Sequence, residues 1–237
     1  MQIIKKEVLS STNDFIKDNY KSLDNYSVVT ALHQTNGRGR MTRVWEAENN
    51  KNILMSVLVK EFKGRTDLNL LSLVTSVSVH KFLSKYLKNL YIKWPNDILV
   101  EHKKICGILL EGKINNNEKM IIIGIGININ QESFSSDINN LTTSLKRELH
   151  KEYDIDSLIE ELTYILINDI EGFLKGNNNF IDYIRTNLYG INEVIEFERN
   201  DNVYEGVILD INPEGQLIVK QENNILYFNS GEIKIKR

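Results

Sequence analysis

The chain has 237 residues, 41% of them hydrophobic, which suits one globular domain or one domain with a small appendage. Its 29 basic and 32 acidic residues give a formal charge of -3, which argues against a surface that grips duplex DNA mainly through phosphates. A single cysteine excludes an internal disulfide; with no apolar signal core and no run near the ~20 residues of a membrane span, a cytoplasmic protein without membrane contact is expected.

Taken in order, Ile3 to Val8 reads as a strand, and Ser10-Ser11-Thr12-Asn13-Asp14 supplies N-cap residues for a short helix through Asn19. Capping is the commoner use of such a cluster; the alternative is that its hydroxyls and amide face a polar ligand. Val28 to Gln34 is a strand feeding Gln34-Thr35-Asn36-Gly37-Arg38-Gly39-Arg40, which runs on to Arg43 and Trp45. Glycine lets backbone approach a ligand closely, and arginine offers a planar fork of donors to carboxylate or phosphate. The stretch is therefore either a loop closing over a small anion, or a solvated basic turn or RGG-like nucleic-acid segment.

Asn52 to Val59 is an apolar strand suited to the middle of a sheet, and Asp67 to Leu87 has the spacing of a helix with one buried face. Strands at Leu90 to Trp94, Ile98 to Val100, Ile105 to Ile114 and Met120 to Ile129 follow. The turns between them, including Asn115-Asn116-Asn117-Glu118, are short, which favours antiparallel hairpins. Helices are expected at Leu141 to Leu149, Ser157 to Leu174 and Phe180 to Tyr189. Beyond Gly190, four short alternating strands predict a barrel of about 45 residues. The expected fold is α+β: a mixed, largely antiparallel sheet with helices on one face (residues 1–190), and a small C-terminal β-barrel (residues 191–237).

Gly107 to Lys113 starts like a phosphate-binding P-loop, but Ile114 stands where Ser or Thr is needed and the stretch reads as a strand. Gly124-Ile125-Gly126 starts like a dinucleotide fingerprint, but Ile129 replaces the third glycine; the glycines read as places where a strand admits a ligand or another backbone. The four histidines lack metal-ligand spacing, and Cys106 lies in an apolar strand. Lys93-Trp94-Pro95-Asn96-Asp97 is more specific: a strand ends in a turn presenting an amide and a carboxylate, with Lys104 at the next hairpin tip. Those hairpins bring Asn96, Asp97 and Lys104 together only if the turns fold that way.

Lys93 to Asp97, followed by Lys104 to Glu111, resembles the central signature of the biotin protein ligases. Gln34 to Trp45 is similar to their biotin-binding loop, and Ser11-Thr12-Asn13 to their first motif. Gly124 to Asn128, Thr143-Ser144-Leu145 and Ser230 to Ile233 are similar to later ones, so the resemblance spans nearly the whole chain. It implies a class II synthetase-like catalytic domain with an SH3-like C-terminal barrel. It also implies a ligase that converts biotin and ATP to biotinyl-5'-AMP and diphosphate, then passes biotin to a lysine of a biotin carboxyl carrier domain.

By the same resemblance, Lys104, Arg40 and Asp97 are the catalytic candidates, with Asp97 either a magnesium ligand or a base. Biotin would meet Ser11, Thr12, Asn13, Gln34, Gly37, Arg38, Gly39, Arg40, Lys104 and Gly107, Arg38 through its backbone. ATP and the adenylate would meet Arg40, Arg43, Trp45, Lys93, Asn96, Gly124, Ile127, Asn128 and Lys236. Lys236 stands where the family often has an arginine, with Arg237 next. Many members carry an N-terminal DNA-binding module; Ser11-Thr12-Asn13 stands too near the start for one, so no DNA partner is expected. A monomer or weak homodimer is expected. Lipoate–protein ligases share the chemistry and form the nearest alternative; a biotin-responsive regulator without turnover is the non-enzymatic one.

Overall fold

The structure is a computed structural model and describes residues 2–40, 43–114 and 119–236. The expected turn at Asn115 to Glu118 and the terminal Arg237 lie outside the described residues.

Seven strands form the first sheet: β1 (Ile3–Leu9), β2 (Val28–Gln34), β3 (Asn52–Val59), β4 (Leu90–Lys93), β5 (Asp97–Val100), β6 (Lys103–Ile114) and β7 (Lys119–Asn128). Their spatial order is β1-β2-β3-β7-β6-β5-β4, with β1 parallel to β2 and every other pairing antiparallel. Among the described residues, five α-helices accompany it: α1 (Thr12–Asn19), α2 (Leu71–Leu83), α3 (Leu145–Leu149), α4 (Ile155–Leu174) and α5 (Phe180–Asn187).

The helices do not all lie on one face, as the sequence reading had them. Met55, Val57 and Val59 of β3 pack into the core beneath α2 and α4. Leu58, with Val29, Met120 and Ile122, packs against Ile16 of α1 in a second cluster. Side chains alternate faces along a strand, so α1 covers the opposite side. β3 is buried at every position, as a strand covered on both faces must be. Alternation with polar residues, the usual sign of an open face, is missing from β3 for this reason.

Helix α2 is buried nearly all round although it carries Thr75, Ser76 and Ser78. Each hydroxyl donates to the carbonyl four residues earlier, so none is buried unpaired. His80 of α2 is also buried: Nε2 lies 3.2 Å from Leu90 O and Nδ1 3.0 Å from Tyr183 Oη. This suits a neutral ring donating from Nε2 and accepting at Nδ1, and burial pulls its pKa below the ordinary value. The unfolded chain therefore binds a proton that the folded chain resists, so stability should fall as pH drops through about 6.5. Thermal unfolding of the parent should fall further between about pH 7.5 and 5.5 than that of His80→Gln; parallel curves would exclude His80 as the cause.

The helix expected at Leu141 to Leu149 shortens to α3. Thr142 instead pairs with Lys104 in an isolated bridge, Thr143 N donates to Lys104 O at 3.0 Å, and Ser144 Oγ accepts from Arg147 N to cap α3. Three consecutive hydroxyl residues favour this extended entry over a continuous helix.

A second sheet holds β8 (Val194–Arg199), β9 (Asn202–Ile211), β10 (Leu217–Gln221), β11 (Asn224–Phe228) and β12 (Lys234–Ile235), in the order β11-β10-β9-β8-β12 and antiparallel throughout. Asn200 and Asp201, both at positive φ, make the two-residue turn between β8 and β9. The two-residue β12 was not foreseen from the sequence. Two buried bonds tie this sheet to the first: Trp94 Nε1 donates to Gly215 O at 3.0 Å and Lys93 Nζ to Ile235 O at 2.9 Å.

Candidate active site

A cavity of about 580 Å³ opens where the start of α1, the loop after β2, the β4–β5 turn, the faces of β6 and β7 and the strand β12 converge. Its wall includes Ser11, Thr12, Asn13, Gln34, Arg38, Gly39, Arg40, Arg43 and Trp45. Lys93, Asn96, Asp97, Lys104, Gly107, Gly124, Asn128 and Lys236 complete the set that sequence reasoning singled out. Gly37 and Ile127 are not on it. Ile127 is fully buried in the main core, because its neighbours Gly126 and Asn128 take the cavity face of β7.

One end of the cavity is a buried polar network. Ser11 precedes α1 in an extended conformation, but its side chain makes no capping bond and faces the cavity instead. Thr12 donates to Gln34 Oε1 from both its backbone N, at 2.8 Å, and its Oγ1, at 3.0 Å. Ser56 Oγ lies 2.6 Å from Thr12 Oγ1 and 2.5 Å from Asn13 Oδ1, and Asn13 Nδ2 donates to Glu111 Oε2 at 2.6 Å. The sequence reading overlooked Ser56 and Glu111. Ser56 is a lone hydroxyl within the apolar run of β3, and Glu111 a half-buried carboxylate late in β6.

Residues 41–42 of the Gly/Arg stretch lie outside the described residues, and the segments on either side of them pair with each other. Trp45 N donates to Gly37 O at 3.0 Å, Gly39 N to Arg43 O at 2.7 Å, and Arg38 pairs with Val44. Arg38 turns its fork onto Asp14, at 2.7 and 2.6 Å. Arg40 points inward, donates to Asn96 Oδ1 at 3.0 Å, and has its pKa lowered by burial while nearby Asp97 opposes that shift. Asn96 in turn donates to Ile108 O at 2.8 Å, so the amide that holds Arg40 is itself held.

The turns of β4, β5 and β6 do bring Asp97 and Lys104 together, with Lys104 Nζ 2.6 Å from Asp97 Oδ1. The Lys104 ammonium also lies 5.6 Å from the centre of the Trp45 ring. Cys106 is buried behind them, and burial drives its thiol far above the ordinary range, so it is no nucleophile. Lys93 is buried and spends a donor on Ile235 O; Lys236 stands 3.8 Å from Glu198.

Glycines shape the floor. Gly107 of β6 sits opposite Gly126 of β7, and a Cβ at Gly126 would come within 2.5 Å of the Trp45 ring, one at Gly107 within 2.9 Å. A Cβ at Gly124 would meet Asn13 at 2.5 Å. The glycines thus admit Trp45 and Asn13 against bare backbone. The cavity therefore combines cations at the Arg40 and Lys104 side, a neutral hydrogen-bonding end, and an aromatic ring resting on bare strand backbone. That arrangement suits joining two anionic groups away from water.

Comparison with known proteins bears on the family and the fold. Residues 6–128, more than half of the chain, match the model of the Biotin/lipoate A/B protein ligase family, and residues 190–235 match the model described as Biotin protein ligase C terminal domain. The chain is 28% identical to the bifunctional ligase/repressor BirA of Bacillus spizizenii, over 98% of this chain and 74% of that protein. It is 32% identical to the biotin–[acetyl-CoA-carboxylase] ligase of Mycobacterium tuberculosis over 44% of this chain and 40% of that protein. Its fold superposes on the biotin protein ligase from Aquifex aeolicus in complex with biotin and ATP with a TM-score of 0.89 at 24% identity, covering 100% of this chain and 99% of that one.

Proposed function

The chain belongs to the biotin/lipoate A/B protein ligase family, and from that membership we propose how its cavity works as that of a biotin protein ligase. Biotin's carboxylate attacks the α-phosphorus of ATP; the bond to the β-phosphate oxygen breaks and diphosphate leaves. The amine of a carrier lysine then attacks the acyl carbonyl of biotinyl-5'-AMP, and AMP leaves as the new amide forms. The observation that carries this reading is the convergence of Lys104, Arg40 and the Ser11–Thr12–Asn13–Gln34–Ser56 network on one cavity.

The polar end would receive the ureido ring of biotin, whose carbonyl and N–H groups need both donors and acceptors. An apolar dithiolane would leave those groups unpaired, at a cost of roughly 1–3 kcal/mol each. This favours biotin over lipoate, as does the match of residues 190–235. Lys104 would hold carboxylate and α-phosphate together, Arg40 and Arg43 would attract the phosphates, and Trp45 would cover the adenylate. Asn96 acts here by holding Arg40, and Lys93 by holding β12, which places Lys236 at the cavity rim.

Among the described residues no group of three carboxylate, imidazole or thiol side chains could cage a metal. Magnesium usually binds one or two carboxylates plus substrate phosphates, and Asp97 fits that limited part. Bound there, it would offset triphosphate charge. The alternative role for Asp97, drawing the carrier lysine's proton, needs the same carboxylate freed from Lys104. We read the catalytic domain as residues 1–190 and the second sheet as the family's SH3-like barrel, residues 191–237. The carrier would be the biotin carboxyl carrier domain of a biotin-dependent carboxylase.

The test is diphosphate release by the purified protein given ATP and either biotin or lipoate, followed by labelling of a carrier domain. Release with biotin alone is expected; release with lipoate alone would overturn the reading. A narrower prediction concerns the Trp45 ring. Gly126→Ala forces a Cβ into the Trp45 ring, and overpacking of this kind costs about 1–3 kcal/mol. The KM for ATP should therefore rise by roughly 5- to 100-fold in a protein of unchanged far-ultraviolet circular dichroism. An unchanged KM would show that the ring need not rest there.

A further inference from the structure

We propose that Arg147 is a positioning residue: by tying together the chain from Glu132 to Thr142, it holds one wall of the cavity in place for the nucleotide before any nucleotide is bound. The inference rests on the ligase reading above, which gives the polar end of the cavity to biotin and leaves this wall to ATP.

The wall is made by Phe134, Ile138, Leu141 and Thr142, all of which line the cavity. They lie between β7 and α3, where the chain carries only a short 3-10 turn, Asn139–Leu141. The backbone bonds inside the segment are turn bonds. Ile138 N and Asn139 N donate to Ser135 O, and Leu141 N donates to Ile138 O. Such bonds shape a segment locally but do not dock it on the sheet, and exposed segments of this kind open at little cost.

Arg147, in the middle of α3, supplies the docking. Its Nε donates to Glu132 O at 2.8 Å, its Nη1 to Asn139 O and to Thr142 O, both at 3.3 Å, and its Nη2 to Asn139 Oδ1 at 2.6 Å. The guanidinium carbon lies 4.7 Å from the centre of the Phe134 ring. One planar fork thus gathers both ends of the segment, its turn and its aromatic side chain, a geometry that only arginine offers. The helix that carries the fork is fixed in turn. Ser144 Oγ accepts from Arg147 N at 3.1 Å, and Lys146 N donates to Ile129 O at 2.8 Å. Just beyond the segment, Thr143 O accepts from Nδ2 of Asn128, an expected nucleotide contact, at 3.0 Å. A wall docked in advance loses less freedom when a ligand settles on it, so the ligand binds more tightly.

The experiment measures KM for ATP and KM for biotin in diphosphate release, and backbone hydrogen exchange of the ligand-free protein. The proteins are the parent, Arg147→Ala, Arg147→Lys and Asn139→Ala. Arg147 is half-buried and lies outside the hydrophobic core, so folding should survive its loss, which circular dichroism checks. Arg147→Ala should raise KM for ATP roughly 5- to 30-fold, as expected for loss of several partly exposed charge-assisted bonds. KM for biotin should stay within about twofold, because the polar end is built by other elements. Amides of Ile138, Asn139 and Leu141 should exchange faster. Arg147→Lys keeps the charge but not the fork, so it should recover little. Asn139→Ala loses one bond of the four and should raise KM for ATP roughly 2- to 4-fold. An unchanged KM for ATP in folded Arg147→Ala, or in Asn139→Ala should the first variant not fold, would overturn the proposal. Full recovery by lysine would also overturn it, by showing that Arg147 acts as a charge that attracts triphosphate. A parent that releases no diphosphate would instead sink the ligase reading, and the exchange rates would still decide whether Arg147 fixes the segment.

Discussion

Lys104→Ala should release diphosphate from biotin and ATP at least ~10²-fold more slowly than the parent. Two effects act in the same direction. The cation that would bridge biotin's carboxylate and the α-phosphate disappears. At the same time Asp97, now 2.6 Å from the ammonium, loses that cation on the wall of a cavity that must take in a triphosphate. Lys104 is near a hairpin tip and contributes no side chain to the main core, so the fold should survive. The two effects separate in the Lys104→Ala/Asp97→Ala double variant, which should recover part of ATP binding but little of the chemical rate. Near-normal diphosphate release from folded Lys104→Ala would remove this lysine from the mechanism.

Arg40→Gly should leave adenylate formation largely in place and release the product early. Arg40 is drawn inward, partly desolvated, and held by Asn96 at 3.0 Å. A charge-assisted bond from such a group is worth roughly 1.5–3 kcal/mol, and glycine adds backbone freedom that makes ordering the loop costlier. At about 1.4 kcal/mol per decade, the dissociation rate of biotinyl-5'-AMP should rise about 10- to 100-fold. Free acyl-adenylate reacts with exposed amines, so biotin should spread from the carrier lysine to bystander proteins. A stopped-flow release rate and a blot for biotinylated bystanders, both equal to the parent's, would show that the loop is not a cover.

Much of this was legible because strand signals were strong. The runs at Val28 to Gln34 and Asn52 to Val59 became β2 and β3 with the same bounds, since apolar β-prone runs between turn residues have few alternatives. The side on which helices lie was less legible: β3 carries apolar residues on both faces and so gives no hint that α1 covers one of them. Local hydroxyl chemistry was misread at Leu141, where Thr142 to Ser144 break the helix. At the site, residues inside short motifs were found because glycine, arginine and lysine there have few structural uses. Asp14 was read among N-cap residues, Ser56 as part of a strand, and Glu111 as the end of a motif, none with a site role of its own. Their meaning depends on neighbours 24 to 98 positions away, a separation that no local pattern carries. Ile127 was misassigned to the cavity for a different reason: in a strand the motif's alternate residues face opposite ways.

The chain's two tryptophans divide the molecule between them. Trp94 is buried with its indole N–H bonded to Gly215 O, at the seam between the two sheets. Trp45 lies over Gly107 and Gly126 with Lys104 beside its ring, and its indole nitrogen is buried without a hydrogen-bond partner among the described residues. Indole emission responds to nearby charge and to its hydrogen bonding, so the protein carries two optical reporters, one over the cavity floor and one where the cavity meets the seam between the sheets. In Trp94→Phe, the remaining emission would follow the filling and emptying of the cavity turnover by turnover. In Trp45→Phe, it would follow the seam where Trp94 meets Gly215, and so register whether the two sheets part before the chain unfolds.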